Sequence, residues 1–327
     1  MLDSTYAEIL SLKVSRSSQA TIAKGIGRST RLLIRSLKEE VKAVGSLGNH
    51  VRCRYGVLKS MKGLAHTKTC LVVGNGPSNS SINWDILKSE QDIDVYCINQ
   101  FNVNKAIDTC DLAGLLLSDR CSLDIDLARR TNPEIVERVE RLHKEVRRNQ
   151  WPLFVPSELE SLALELTKDS ERIVCFNDTR SAFSHTLSPL WPRRHVSMTV
   201  LKLLSVVLYM GYDRVLLVGC DNDYTRSMRI LPDNSVASVE GHSGGESYLF
   251  NSMPLGYETQ ESYLASIISL NQSWKMFSDS RILNLDPLSY VDAFEKVSPG
   301  SPELNLLTKQ RQYEIKALYS HLFGKRP

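Results

Sequence analysis

The chain has no long hydrophobic run and no large excess of charge of one sign. Its longest apolar stretch in 327 residues, VLKLLSVVLYMGY, is interrupted by Lys202 and is too short to cross a bilayer. The first residues, MLDSTYAEIL, have neither a basic start nor an apolar core, so they do not resemble a secretion signal. The formal net charge is only +3, which argues against overall electrostatic attraction to nucleic acid. We therefore expect a cytoplasmic protein with no nucleic-acid partner.

Cysteine pairs with metal-binding spacing are also missing. The seven cysteines form no C-x-x-C pair, and several lie within apolar runs such as VYCIN and IVCFN. This usage predicts reduced core residues and neither a disulfide framework nor a zinc site.

Positive charge is concentrated at the N-terminus. Residues 1–60 carry eleven Lys and Arg residues against four Asp and Glu, a net +7 that leaves about −4 on the remainder. Within them, RSTRLLIRSLKEEVKAV places Leu33, Leu37, Val41 and Val44 at helical spacing with basic residues between. Two interpretations stay open. The helix packs on the main domain, or residues 1–60 make a peripheral contact with the inner face of the membrane or with a partner.

From residue 68 onward, short apolar runs alternate with helical segments, which predicts a parallel sheet. We expect an α/β fold with a Rossmann-like, mostly parallel sheet covered by helices on both faces. The predicted organisation is a basic N-terminal helical segment at 1–65, a catalytic domain at 66–297 and a C-terminal helix at 298–327. A lid is expected around 225–260. The predicted strands are KTCLVVGNG, DVYCINQF, LAGLLLSD, WPLFVPS, RIVCFND and DRVLLVGCDND, and RILNLDPLSYVDAFEK predicts another strand and a turn. The predicted helices include SINWDILKSE, residues 132–150 and SMTVLKLLSVVLYMGY.

The first of these strands ends in the loop GNGPS at 74–78, which is neither a G-x-G-x-x-G fingerprint nor a phosphate loop of the G-x-x-x-x-G-K-[ST] type. Gly74 and Gly76 permit positive φ and close backbone approach, Ser78 can cap the helix that follows, and Asn75 offers an amide. A purely structural turn is one interpretation. We favour a contact with a nucleotide phosphate or a nucleotide sugar.

Other strand ends carry polar residues as well, and ligands bind at this edge of parallel sheets. Asn99 and Gln100 follow the second strand, and their amides suit ribose hydroxyls and base edges. Asp119, after the third strand, could contact a substrate or cap a helix. Asp221 and Asp223 follow a later strand at a spacing that can hold Mg²⁺, accept substrate hydroxyls or cap the next turn.

Two further loops could take part in chemistry. Arg193, Arg194 and His195 precede Ser197 and Thr199 at the start of the apolar helix, which predicts either an anion site or a basic loop in solvent. The glycine-rich EGHSGGE holds a histidine, His242, in a loop suited to a lid, where it could act as a general base.

Taken in order, GNGPS, NQF, the Arg/Ser helix start, the strand ending in G-x-D, GHS and ILNLDPLSYVDAF resemble the bacterial sialyltransferases of glycosyltransferase family 42. They also resemble a wider group that includes motility accessory factors and 6-hydroxymethylpterin pyrophosphokinase-like proteins. The resemblance covers roughly residues 68–295 as a series of motifs.

This resemblance implies an inverting transfer from a CMP-sugar donor to a glycan or glycolipid hydroxyl, with no required cofactor. Carried over by motif, it implies nucleotide or sugar binding by Asn75, Gly76, Ser78, Asn99 and Ser197 and proton acceptance by His242. Gly74, Gln100 and Asp221 complete the predicted nucleotide site, and Tyr224 and Tyr248 are the nearest candidates to stabilise the leaving phosphate.

Several alternatives stay open. The donor sugar could be sialic acid, pseudaminic or legionaminic acid, or Kdo. A pyrophosphokinase-like phosphotransferase would use ATP with Mg²⁺ at Asp221 and Asp223. A non-catalytic nucleotide-binding protein is a third candidate, and a homo-oligomeric state stays open as well.

Overall fold

The computed structural model describes residues 36–45, 55–65, 69–99, 111–181, 184–194, 198–222, 228–230, 236–241, 247–250 and 260–323. For 228–230, 236–241 and 247–250 it describes the backbone alone.

Eleven strands lie in this part of the chain, and eight of them form one sheet. The strands are β1 Thr69–Val73, β2 Ile93–Ile98, β3 Gly114–Leu116, β4 Leu153–Pro156, β5 Ile173–Phe176, β6 Arg214–Val218, β7 Met228–Ile230, β8 Val236–Gly241, β9 Ser247–Phe250, β10 Ile282–Asn284 and β11 Glu295–Lys296. The spatial order of the large sheet is β11-β10-β6-β1-β2-β3-β4-β5, and every neighbouring pair is parallel. The predicted α/β fold with a parallel sheet is confirmed.

Helices connect most of these strands. They are α1 Tyr55–Ser60, α2 Trp84–Ser89, α3 Ile125–Thr131, α4 Val136–Asn149, α5 Glu160–Thr167, α6 Thr199–Met210, α7 Gln260–Lys275 and α8 Lys309–Phe323, in addition to helical backbone at 36–45. Short 3-10 turns lie at Pro77–Ser81, Arg120–Ser122, Pro133–Ile135, Ser157–Leu159 and Pro302–Leu306. Among the described residues, none of the helices combines the length and hydrophobicity needed to cross a membrane.

The order of the strands creates a switch point beside β1. From β1 the chain proceeds to β2, β3, β4 and β5 on one side, and then returns through α6 to β6 on the other side of β1. Right-handed crossovers in opposite directions place their helices on opposite faces of the sheet. The connections that leave β1 and β6 therefore pass to opposite faces of the sheet, and the carboxyl ends of strands at such a switch point are the usual ligand site in this fold class.

The core consists of strands buried on both faces, as expected for a covered parallel sheet. In β1, β4, β5 and β6 almost every side chain is buried. Most of α6 is buried as well, in agreement with its continuous apolar sequence. Four cysteines predicted to lie in the core do so, namely Cys70, Cys97, Cys175 and Cys220. Cys121 is half-buried, while Cys53 and Cys110 lie outside the described residues.

The N-terminal helical segment at 36–45 contacts the main domain, but not through the apolar stripe that the sequence spacing suggested. Leu37, Val41 and Val44 are exposed, whereas Ala43 is buried. The side chain of Glu40 accepts a hydrogen bond from Ser181 Oγ at 3.0 Å.

Parts of the predicted terminal segments also contribute to the main core. Tyr55 and Leu58 of α1 belong to it, as does Ile315 of α8. The region expected to form a lid, 225–260, contains the antiparallel sheet β7-β8-β9. Its action as a lid stays a prediction.

Candidate active site at the switch point

The loops after β1 and β6 approach each other so closely that both require glycine. A Cβ atom on Gly74 would lie 2.2 Å from Gly219 O, and one on Gly76 would lie 1.9 Å from Asp221 Oδ2. Gly219 itself has φ +69°, a conformation that favours glycine. Backbone hydrogen bonds of 2.8 and 2.9 Å join Gly74 N to Val218 O and Gly76 N to Gly219 O. The glycines of GNGPS therefore serve close packing against β6, and their contact with a nucleotide stays a prediction.

Buried side chains hold these two loops together. Ser78 Oγ accepts the N–H of Gly219 at 2.9 Å, and Asn79 Nδ2 donates to Gly74 O at 3.0 Å. Asn79 was not among the predicted residues, although its place in the loop after β1 was a usable signal. The expectation that Ser78 caps the following helix is wrong, because Asn83 accepts the capping hydrogen bond of α2.

Asp221 shares the centre of this arrangement with a second carboxyl group, that of Asp286. Burial, followed by the charge of Asp286 and a hydrogen bond with it, raises the pKa of Asp221 from 3.8 to about 7. A 3.3 Å hydrogen bond from Ser78 N to Asp221 Oδ2 acts in the opposite direction. Asp286 is buried and forms an ion pair with Arg311 Nη2 at 2.6 Å. Asp221 therefore keeps its proton in mildly acidic solution and is partly protonated near neutral pH.

The loop after β10 fixes the position of this pair. Ser289 Oγ donates to Cys220 O at 2.7 Å, and Tyr290 N donates to Asp221 O at 2.8 Å. Arg311 comes from α8, so the C-terminal helix reaches the switch point. Neither Asp286 nor Arg311 is among the predicted site residues, although Asp286 lies directly after an apolar strand within the motif ILNLDPLSYVDAF.

A second polar group joins the ends of β2 and β3 to the start of α6. Asn99 has φ 45°, which asparagine tolerates better than most residues. Its Nδ2 donates to Thr199 Oγ1 at 2.9 Å, and its Oδ1 accepts the N–H of Ser118 at 3.1 Å. The hydroxyl groups of Ser118 and Thr199 share a hydrogen bond of 3.0 Å. Asp119 caps the turn at 120–122 through Cys121 N, which was one of its two predicted roles.

A third cluster lies beyond β5, and among its charged residues only Arg193 was predicted. Asp178 and Lys202 form an ion pair of 2.6 Å. Arg193, only 1% exposed, donates to Asn177 O at 2.7 Å and lies over the ring of Phe176. Burial lowers the pKa of Arg193 to about 10. This arginine is part of the interior, so the prediction of a basic loop in solvent is wrong for it.

The structure describes few of the remaining predicted residues. Gln100, Ser197, Asp223, Tyr224 and His242 lie outside the described residues. Tyr248 lies in β9, where its backbone pairs with Glu240, and its side chain is not described. Within the described part of the chain, no group of three or more His, Cys, Asp or Glu residues is placed to hold a metal ion.

The fold and this edge define a parallel α/β protein with polar strand ends gathered at a switch point. No family model matches the chain, and no curated protein matches it. Among solved structures it is similar to the MAf glycosyltransferase from Magnetospirillum magneticum AMB-1, with 11% identity and a TM-score of 0.45. The match covers 80% of this chain and 40% of that one, so this chain corresponds to less than half of that protein. Similarity at this level does not assign a function.

Proposed function

We propose that the protein is a glycosyltransferase whose donor is CMP-sialic acid or a related CMP-activated keto-sugar. The acceptor is a glycan or glycolipid hydroxyl, and the reaction takes place in the cytoplasm. The observation that carries the proposal is the convergence of polar strand-end groups at the switch point of a parallel sheet, where such folds bind nucleotides. The motif order that resembles the family 42 sialyltransferases supports the choice of donor.

The hydroxyl and amide groups at this edge suit a nucleotide sugar. Asn99, Ser118 and Thr199 form a neutral hydrogen-bonding group that can exchange internal bonds for bonds to a ribose or a sugar. Because its pKa is raised to about 7, Asp221 carries less negative charge near neutral pH than an ordinary aspartate, which lowers the repulsion that a phosphate would meet.

The chemical step is assigned to the lid region. His242 takes the proton of the acceptor hydroxyl, and the acceptor oxygen then attacks the anomeric carbon of the sugar. The bond between that carbon and the CMP phosphate breaks at the same time. Tyr224 and Tyr248 are proposed to donate hydrogen bonds to the departing phosphate. Gln100 and Ser197 are proposed as nucleotide contacts.

This proposal does not need a divalent cation. Asp221 is engaged with Asp286 and Ser78, and cation binding would have to displace the proton that it holds. A phosphotransferase that uses ATP with Mg²⁺ at Asp221 and Asp223 is the alternative that the following experiment distinguishes.

The test is calorimetric titration of the full chain with CMP and with ATP, each with EDTA and with Mg²⁺, followed by CMP release from a panel of CMP-sugars. We expect CMP to bind in EDTA and at least one CMP-sugar to be turned over. ATP binding that requires Mg²⁺, without CMP binding, would support the phosphotransferase and overturn the proposal. Nucleotide binding with no turnover of any donor would support a non-catalytic role.

A single substitution then tests the role of the lid. His242→Ala should lower turnover about a hundredfold, the usual contribution of a general base, while CMP affinity stays nearly unchanged. His321→Ala is the matched control, because His321 is an exposed histidine of α8. Equal losses in the two variants would remove His242 from the mechanism.

A further inference from the structure

The helical segment at 36–45 presents an apolar stripe to solvent. Leu37, Val41 and Val44 are 52%, 73% and 67% exposed, and their spacing of four and three residues places them on one face. Lys38 and Lys42 are exposed as well, and they follow Leu37 and Val41 by one residue, which places them along one side of that stripe. We call these five residues the basic-apolar face.

The opposite side of this helix attaches it to the main domain. Glu39 approaches Arg180 Nη1 at 3.7 Å, Glu40 accepts the hydroxyl of Ser181, and Ala43 is buried. The acidic side chains are therefore turned toward the protein, which leaves the solvent side with positive charge and apolar surface. Arg180 and Ser181 follow β5 beyond its carboxyl end, so the helix lies at the end of the sheet that carries the candidate site.

We propose that the basic-apolar face is a docking surface for an anionic lipid bilayer. A helix that lies in the membrane interface combines apolar side chains on one side with Lys or Arg beside them, which is the arrangement seen here. By sequence alone, Arg31 and Arg35 continue the spacing of Lys38 and Lys42, and residues 1–60 have a net charge of +7. Negative lipid headgroups complement that charge, while the stripe enters the acyl boundary.

Charge also argues against a second copy of the chain as the occupant. Two such faces in contact would place the positive charges of Lys38 and Lys42 from both copies at one interface. Glu39 and Glu40 could not neutralise them, because these glutamates already face Arg180 and Ser181. A nucleic acid would meet the lysines but would leave the apolar stripe in water.

The test is co-sedimentation of the full chain with two kinds of vesicle, pure phosphatidylcholine and phosphatidylcholine mixed with phosphatidylglycerol. We expect binding to the mixed vesicles alone and its loss at high salt, since the Debye length falls to about 3 Å at 1 M. Lys38→Gln with Lys42→Gln should weaken binding about 25-fold, because each basic residue near an anionic surface contributes about a fivefold factor.

Two further variants separate the surface from general charge. Leu37→Ser with Val41→Ser should weaken binding at least about tenfold without loss of stability, because both side chains are exposed. Lys309→Gln with Lys316→Gln removes the same charge from exposed positions of α8 and should leave binding within about twofold.

Four outcomes would overturn the proposal. They are absence of binding to the mixed vesicles, equal binding to both vesicle types, equal losses in the two lysine pairs, and self-association in sedimentation that Leu37→Ser with Val41→Ser abolishes. None of them bears on CMP binding, which the proposed function requires separately.

Discussion

Replacement of Asp221 by asparagine would remove a carboxyl group that the folded protein holds against the carboxyl of Asp286. Asparagine has the same shape and can still accept the hydrogen bond from Ser78 N. It cannot ionise. The variant therefore isolates the free energy that is associated with the proton on Asp221.

The size and direction of the effect follow from the pKa. A rise from 3.8 to about 7 on folding corresponds to a cost of about 4 kcal/mol for the ionised side chain in the folded protein. Below about pH 4, Asp221 is protonated in both states, and the cost is absent. Between about pH 4 and pH 7 the unfolded chain loses this proton while the folded protein keeps it, so the free energy of unfolding decreases as the pH rises. Above about pH 7 the full cost remains.

The measurement is urea unfolding of both proteins at several pH values between about 4 and 8, followed by tryptophan fluorescence. The stability of Asp221→Asn relative to the natural protein should increase across this range by up to about 4 kcal/mol. Asp92→Asn, at an exposed turn before β2, is the control and should show no such trend. A difference that is constant, or that shrinks with rising pH, would refute the raised pKa of Asp221.

Three further predictions concern the same edge of the sheet. Arg311→Leu should lower the free energy of unfolding by about 3 kcal/mol, because it leaves buried Asp286 without its cation. In urea unfolding, adding Asp286→Asn should restore most of that loss. Asn99→Gly should melt at a higher temperature than Asn99→Ala, because glycine adopts the positive φ of this position freely whereas alanine adds about 1 kcal/mol of strain. Equal melting temperatures would contradict this reasoning. Gly76→Ala should cost about 2 kcal/mol in the same unfolding assay, whereas Gly300→Ala, at an open position, should be neutral.

The strands of the large sheet could be predicted from the sequence, because each strand of a covered parallel sheet is a short, continuous apolar run. The apolar runs IVCF and RVLLV predict strands for this reason, and they occur as β5 and β6. Helix bounds were less accurate. The helix expected at 132–150 begins as a 3-10 turn at Pro133, and α5 was not predicted. Residues 160–167 lack strong amphipathic periodicity, so the local pattern did not distinguish them from a loop.

The candidate site could be predicted only in part, because strand ends are local signals and contacts between loops are not. Asn99 and Asp221 were found from their positions directly after apolar strands. Asp286 and Arg311 were missed, since nothing near them in sequence shows that they meet Asp221. The orientation of the segment at 36–45 was equally hidden, because its spacing defines an apolar face without saying what that face contacts.

At this edge of the sheet, packing explains the two glycines but does not explain the carboxyl group of Asp221. Gly74 and Gly76 have a sufficient reason in the close approach of β1 and β6. Packing gives no reason for an aspartate at position 221, because asparagine would pack equally well and would avoid the cost of facing Asp286. An acid whose pKa is raised to about 7 by burial and by a specific charged neighbour is typical of functional sites. We therefore expect Asp221→Asn to gain stability and lose donor turnover, measured as CMP release. A variant that is more stable and fully active would show that this carboxyl has no part in the reaction.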